Sequence, residues 1–120
     1  MLPQDTCCTI VPYLQVPPEN MAAFGALCQR AIEKAQQEKG CLYYGFSFDG
    51  NLAHCREGYA DARALLEHVA NMEEVLKEML SITELTRLEV HGPAPELAKL
   101  REPLAALNPQ FFTLEFGFRR

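Results

Sequence analysis

The chain has 120 residues, a formal net charge of −5, and 48% hydrophobic against 22% charged residues. This length suits a single domain over 1–120 with its own core, and the composition excludes disordered and fibrous classes. The acidic charge and the lack of a run of Lys or Arg argue against a nucleic-acid partner. Residues 1–14 lack the basic start and apolar run of a signal peptide, and no apolar stretch reaches membrane-spanning length. We therefore expect a cytoplasmic protein without a membrane partner.

The five cysteines are an odd number and form no CxxC pair or other recognisable metal-ligand frame. In a reducing cytosol they are expected to be small buried hydrophobic residues. A reactive free thiol stays open as the alternative.

The first part of the chain predicts a strand followed by a helix. Residues 6–16 are rich in β-branched and aromatic side chains and end at two prolines, which is typical of a first strand. From Phe24 to Ala35 apolar residues recur at helical spacing, and Gly40 stands where a C-terminal cap belongs. A first helix is therefore expected over about 19–39.

The middle of the chain predicts a hairpin and a second helix. Two β-rich runs, 41–48 and 52–59, flank an Asp-Gly-Asn turn at 49–51, which indicates antiparallel neighbours. Asp61 is placed to cap the helix that follows, and a bend is expected near Asn71. The apolar stripe of this helix consists of Leu65, Val69, Met72, Leu76 and Met79.

The remaining elements complete an α+β fold. With a fourth strand over 82–90, the order of elements over about 5–92 is that of a ferredoxin-like split βαβ core, one sheet with two helices on one face. A C-terminal extension over about 93–120 adds a helix interrupted at Pro103 and a last strand over 111–118 with one apolar face. The bare sheet face and the last strand need a partner, so we expect a homodimer.

The stretch EKGCLYYGFSFDGNLAHCREGYADARALLEH, residues 38–68, resembles the antibiotic biosynthesis monooxygenase family of dimeric α+β barrels. The resemblance rests on the hairpin, on the aromatic residue that closes its second strand, and on the Asp, Ala, Leu and His that follow. It covers nearly the whole chain, since residues 87–112 resemble the C-terminal extension of one bacterial subgroup. It implies the dimeric barrel fold and an oxidoreductase of the monooxygenase type.

The resemblance also implies a pocket between the sheet and the helices, where Tyr59 and His68 match the family's aromatic and histidine positions. The implied activity is that of a cofactor-independent monooxygenase, or a related enzyme, acting on a small aromatic substrate of the quinol type. Tyr59 would orient a substrate oxygen while His68 removes or shares a proton. No metal and no cofactor is expected. The residues expected to bind the substrate are Tyr44, Phe46, Cys55, Leu65 and Met72.

Other interpretations stay open. The chain has no tryptophan, and its first strand lacks the asparagine that several oxygenases carry, which favours a barrel that binds a small aromatic ligand without transforming it. Haem ligation by His68, and a metal site built from His54, His68 and His91, are ranked lower. The alternative without a functional site is that Tyr59 is a core residue and that His68 forms its hydrogen bonds with the backbone or with water. On the opposite face of the third strand, His54 and Arg56 are expected at the dimer interface alongside Tyr43 or Glu84, in an ion pair such as that of Arg56 with Glu84.

Overall fold

A computed structural model describes residues 5–120 of the chain. Its strands are β1 (Cys8–Gln15), β2 (Cys41–Asp49), β3 (Leu52–Tyr59), β4 (Glu84–Gly92) and β5 (Gln110–Thr113). Its helices are α1 (Met21–Ala35), α2 (Ala62–Asn71), α3 (Glu73–Ile82) and α4 (Ala94–Leu100). The strands form one sheet in the order β2-β3-β1-β4-β5. This arrangement confirms the α+β, ferredoxin-like architecture expected from the sequence.

The centre of the sheet is β1, because both of its edges pair with antiparallel neighbours, β3 and β4. The pairing of β2 with β3 forms the predicted hairpin, and Gly50 in its turn has a positive φ of 56°. Glycine adopts this left-handed conformation without steric cost. The last strand, β5, pairs in parallel with β4. Within residues 5–120 no helix is long and apolar enough to cross a membrane.

The first helix is shorter than the sequence predicts. A 3-10 turn over Pro18–Asn20 precedes α1, and α1 ends at Ala35 rather than near residue 39. After Ala35 the amides of Gln37 and Glu38 donate to carbonyls three residues earlier, so the chain tightens and leaves the α-helix. Glu38 therefore lies in the connection to β2, where its side chain can reach α2.

Gly40, in the same connection, lies against α2. A Cβ atom added at Gly40 would lie 2.4 Å from the Cβ of Ala64. We therefore expect Gly40→Ala to lower the free energy of unfolding by about 1–3 kcal/mol through overpacking, measured by urea denaturation. Gly25→Ala in α1 is the matched control, because nothing lies within 4 Å of that position and the change should stabilise the helix by about 0.5–1 kcal/mol. Equal effects of the two substitutions would contradict the close packing at Gly40.

The predicted second helix is divided into α2 and α3 at Met72, next to the expected bend at Asn71. Asp61 caps α2 as predicted, since its carboxylate accepts a hydrogen bond from the amide of Ala64 at 2.8 Å. At the other end of α2, the side-chain amide of Asn71 donates to Glu38 at 2.7 Å. The break therefore coincides with a contact to the α1–β2 connection.

The helix of the C-terminal extension packs into the core. As the interrupted pattern predicts, α4 ends at Leu100, before Pro103. Leu97, Leu100 and Leu104 are at most 1% exposed and belong to the same buried cluster as Tyr59. The extension is thus part of the core of the fold.

The last strand is shorter than the expected 111–118. It ends at Thr113, because the ladder with β4 reaches only to Gly92 at the end of that strand. Beyond this point Phe116 and Phe118 are 91% and 82% exposed. The alternating apolar pattern therefore continues beyond β5, over residues 114–118. Within the described residues, no neighbouring strand pairs with this segment.

The face of the sheet away from the helices, here called the open face, carries aromatic and charged side chains. His54 packs edge-on against Tyr13 with ring centroids 4.9 Å apart, and the Arg56 guanidinium carbon lies 5.0 Å from the ring centroid of Tyr43. The expected ion pair of Arg56 with Glu84 is wrong. Glu84 begins β4, which is separated from β3 by the whole width of β1, whereas Tyr43 lies on the neighbouring β2.

Candidate active site

Three buried ionisable side chains and one partly buried side chain form a cluster between the sheet and the helices. Glu57 and Tyr59 come from β3, His68 from α2 and Glu38 from the α1–β2 connection. His68 Nδ1 lies 2.9 Å from Glu38 Oε1, and His68 Nε2 lies 3.1 Å from Glu57 Oε1. The Tyr59 hydroxyl donates to the same Glu57 oxygen at 2.6 Å. These four side chains are called the acid–histidine cluster below.

Strand alternation places Glu57 in this cluster. Residues of β3 point alternately to the two sheet faces, so Glu57 shares the helix side with Cys55 and Tyr59, and it is only 4% exposed. Burying a carboxylate is costly unless charged or hydroxyl donors compensate for the lost water. Strand alternation alone puts Glu57 on this face, although the sequence analysis predicts only Tyr59 and His68 as catalytic. A glutamate that alternates with apolar residues on the buried side of a strand is the sequence feature that indicates such a site.

Glu38 was not selected from the sequence at all. Its carboxylate joins two residues of α2, since Oε1 faces His68 and Oε2 accepts the 2.7 Å hydrogen bond from Asn71. Glu38 and His68 are 30 residues apart. No local pattern connects them, and the first helix was expected to continue past Glu38, so only the folded chain reveals the pair.

The surroundings of His68 favour its positively charged form. Burial alone would lower the pKa of His68, but hydrogen bonds and charge from Glu57, and then from Glu38, raise it above its ordinary value of 6.5. Both ring nitrogens face carboxylates, and an imidazolium satisfies both because each nitrogen then carries a proton. Burial, and then the charge of Glu57, raises the pKa of the Tyr59 hydroxyl, so this group stays protonated and donates.

A cavity of about 70 Å³ lies beside the cluster, between the sheet and α1, α2 and α3. Glu57 and His68 are in its wall, and most of the remaining lining is aliphatic. Such a cavity suits a small, mainly apolar ligand with one polar group directed at Glu57 and His68. Ligand pockets usually measure about 300 Å³ or more, so an aromatic ligand requires flexible side chains such as Met72 and Met79 to move.

The structure brings most of the predicted site residues together around this cavity. The predicted residues in its wall are Tyr44, Phe46, Cys55, His68 and Met72. Tyr59 and Leu65 are fully buried outside the wall, in the cluster that α4 covers. Tyr59 still packs against His68, with ring centroids 4.7 Å apart, and reaches the site through its hydrogen bond to Glu57.

The three histidines lie in two separate environments. His54 and His91 are on the open face, where the His91 ring stacks on Phe112 with centroids 4.8 Å apart and contacts Glu89 at 2.9 Å. His68 is on the helix side, so the three do not converge. Among residues 5–120, no three His, Cys, Asp or Glu side chains are grouped so that they could hold a metal ion.

The cysteines are free thiols in mainly apolar surroundings. Cys8, Cys28 and Cys55 are buried, whereas Cys7 and Cys41 are partly buried. Burial raises the pKa of Cys8 to about 12 and the pKa of Cys28 and Cys41 to about 11. They stay protonated at neutral pH, as expected for small hydrophobic residues.

Solved structures identify the class to which this fold belongs. The structure superposes on an antibiotic biosynthesis monooxygenase with a TM-score of 0.61, at 20% identity over 69% of this chain and 92% of that chain. It superposes on a conserved protein from Methanosarcina mazei with a TM-score of 0.67, at 22% identity over 71% of this chain and 90% of that chain. The fold is that of antibiotic biosynthesis monooxygenases, and the resemblance seen in the sequence is confirmed.

A more similar structure is that of MupZ from Pseudomonas fluorescens. The two chains are 48% identical and superpose with a TM-score of 0.95, over 100% of this chain and 94% of MupZ. The chain therefore belongs to the family of MupZ, which has the antibiotic biosynthesis monooxygenase fold. Neither the protein-family models nor the curated proteins gave a match.

Proposed function

We propose that the protein is a cofactor-independent monooxygenase, or a related proton-transfer enzyme, that acts on a small aromatic substrate of the quinol type. The observation that carries this proposal is the acid–histidine cluster in the wall of an apolar cavity. Two carboxylates and an imidazolium in water-poor surroundings are the groups needed to remove a phenolic proton and to stabilise the anion that results. The fold class supports molecular oxygen as the second reactant.

The proposed chemistry needs no metal, because the substrate itself supplies the electrons. Loss of a proton makes a quinol or an anthrone electron-rich enough to react with O₂, one oxygen atom entering the ring system and the other leaving as water. Tyr44 and Phe46 would pack against the substrate ring, and the His68 imidazolium would stabilise the anion, more strongly than in water because the cavity has a low dielectric constant. Tyr59 acts as a positioning residue for Glu57.

This proposal predicts oxygen-dependent turnover of a panel of quinols and anthrones. Oxygen uptake and the incorporation of labelled oxygen, followed by mass spectrometry, are the measurements. His68→Gln should lower the rate by about 10²–10³-fold, as is usual for loss of a group that stabilises developing negative charge. His91→Ala, outside the cavity, is the control and should keep full activity. Products that form equally well without oxygen, or no product from any compound, would contradict the proposal.

A barrel that binds its ligand without transforming it is the second candidate function. The small volume of the cavity and its largely aliphatic wall favour it. A binder is stabilised against heat by its ligand and returns that ligand unchanged, so a thermal-shift screen combined with product analysis separates the two functions. Haem binding is not supported, because both ring nitrogens of His68 are engaged by carboxylates and neither is free to ligate iron.

We also propose that the protein is a homodimer in which the open faces of two copies pack against each other. The cytoplasmic location stays a prediction from sequence. Phe116 and Phe118 are almost fully exposed, on a segment held in place by Arg119, whose guanidinium contacts Asp5 at 2.7 and 2.9 Å. Exposed apolar side chains of this kind are rare in monomers. Light scattering at micromolar concentration should therefore give twice the mass of the chain, and a double change of both phenylalanines to serine should lower it. A stable wild-type monomer would contradict the dimer.

A further inference from the structure

We propose that Glu57 is the residue that takes the proton from the substrate, while Glu38 and Asn71 hold His68 as the cation beside it. This assignment rests on the proposed function above and deepens it. It moves the role of base from the histidine to a carboxylate, and it defines the charge of the substrate that the site accepts.

His68 has no free lone pair with which to accept a proton. Its Nδ1 is within 3.1 Å of both oxygens of Glu38, and its Nε2 is 3.1 Å from Glu57. An imidazole nitrogen that donates to a carboxylate carries its own proton. His68 therefore acts through its positive charge and its position.

Glu57 is the base that the cavity wall offers. The hydrogen bond from the Tyr59 hydroxyl and the 3.1 Å contact with His68 Nε2 both end on Oε1 of Glu57, so we assign the transferred proton to Oε2. The Cys55 thiol also hydrogen-bonds to the Glu57 side chain, from the same face of the strand. Tyr44 and Cys55 also line the cavity, but burial raises the pKa of each, so both are protonated and neither can accept a proton.

Charge balance defines the substrate class. The cluster contains two carboxyl groups and one imidazole, so acidic groups outnumber basic ones and a further buried anion would be repelled. A neutral phenol or quinol is therefore preferred over a phenolic acid. In the transfer, the substrate O–H bond breaks, a new O–H bond forms on Glu57, and the phenolate replaces the carboxylate as the anion next to His68. The net charge of the site does not change, and no electron moves in this step.

Glu38 and Asn71 are positioning residues. The Asn71 side-chain amide donates to Glu38 Oε2 at 2.7 Å, which directs Oε1 towards His68. Glu57 is surrounded by titratable groups from its own strand and from the elements packed against it. They are Cys55 and Tyr59 on β3, Cys41 and Tyr44 on β2, His68 on α2, and Glu38 in the α1–β2 connection. The thiols and phenols stay neutral, so the alkaline limit of activity is expected to follow His68.

The test uses 4-nitrophenol as a probe, because binding and proton transfer can then be observed without turnover. On binding, the infrared difference spectrum of the wild type should gain the carbonyl stretch of a protonated carboxylic acid, together with the visible absorbance of bound 4-nitrophenolate. Glu57→Gln should lack the acid band, whereas Glu57→Asp, which keeps a carboxylate, should retain it. Glu89→Gln, which removes a glutamate paired with a histidine on the open face, is the matched control and should behave as the wild type.

Kinetics on any quinol that turns over give the second measurement. Glu57→Gln should lower kcat by about 10²–10⁴-fold with a much smaller change in KM. Glu38→Gln should move the alkaline fall in activity to lower pH, because His68 loses a carboxylate that raises its pKa.

The outcomes separate the two proposals. Three results overturn the assignment of Glu57 while the proposed oxygenase stands. They are an acid band that persists in Glu57→Gln, no acid band in the wild type, and full turnover by Glu57→Gln. The acid band without oxygen-dependent turnover of any quinol overturns the oxygenase and leaves Glu57 as the proton acceptor.

Discussion

Replacing His68 by alanine is expected to lower the free energy of unfolding by about 3–5 kcal/mol near pH 6. The imidazolium lies between the carboxylates of Glu57, which is buried, and Glu38, which is partly buried, and its removal leaves both without their shared cation. Breaking a buried ion pair by deleting one partner is strongly destabilising, because the remaining charge keeps its desolvation cost. Urea denaturation followed by circular dichroism measures the change.

The size of this effect should depend on pH. Because the pKa of His68 is raised in the folded protein, its contribution to stability is fully present below the unfolded-state pKa of about 6.5 and is lost as the pH rises through the folded-state value. The difference between the wild type and His68→Ala should therefore shrink at alkaline pH. A difference that does not change with pH would contradict a charged His68.

The control for this prediction is His91→Ala. His91 also contacts a glutamate at 2.9 Å, but its side chain is 42% exposed. Exposed pairs contribute about 0–1 kcal/mol, so this variant should lose no more than that. Comparable losses at the two histidines would show that burial is not what makes His68 important.

Leu100→Ala should lower the free energy of unfolding by about 2–5 kcal/mol, although the residue lies outside the ferredoxin-like core. Leu100 is fully buried in the cluster formed by α4, α2 and the sheet, so its truncation leaves a cavity that the surroundings fill only in part. Glu102→Ala, an exposed change two residues further on, should stay within about 0.5 kcal/mol. A loss below about 1 kcal/mol at Leu100 would mean that the extension is dispensable for folding.

Sequence reasoning was most accurate where the determining residues are neighbours in the chain. The Asp-Gly turn of the hairpin and the Asp61 cap are local interactions, and both were predicted correctly. The ends of α1 and β5 were not, because they depend on contacts made elsewhere. One helix stops where Glu38 turns towards α2, and the last strand stops where its partner strand ends.

The same distinction explains the candidate site. Alternation along β2 and β3 was enough to place Tyr44, Phe46 and Cys55 on the cavity side. Leu65 was expected there because the sequence predicts one undivided second helix, with Leu65 and Met72 in the same apolar stripe. The break at Met72 and the added cover of α4 direct Leu65 to the second buried cluster instead. Such a division between two clusters is a property of the tertiary structure and has no local signal.

Tyr59 connects the extension to the site in a single side chain. Its ring is packed in the cluster with Leu97 and Leu100, while its hydroxyl holds the carboxylate of Glu57. Trimming the chain after β4 would therefore remove the wall against which this ring rests and release the hydroxyl from its fixed direction. A shortened protein is therefore expected to lose the alignment of the acid together with stability of the core, because the C-terminal helix supports both.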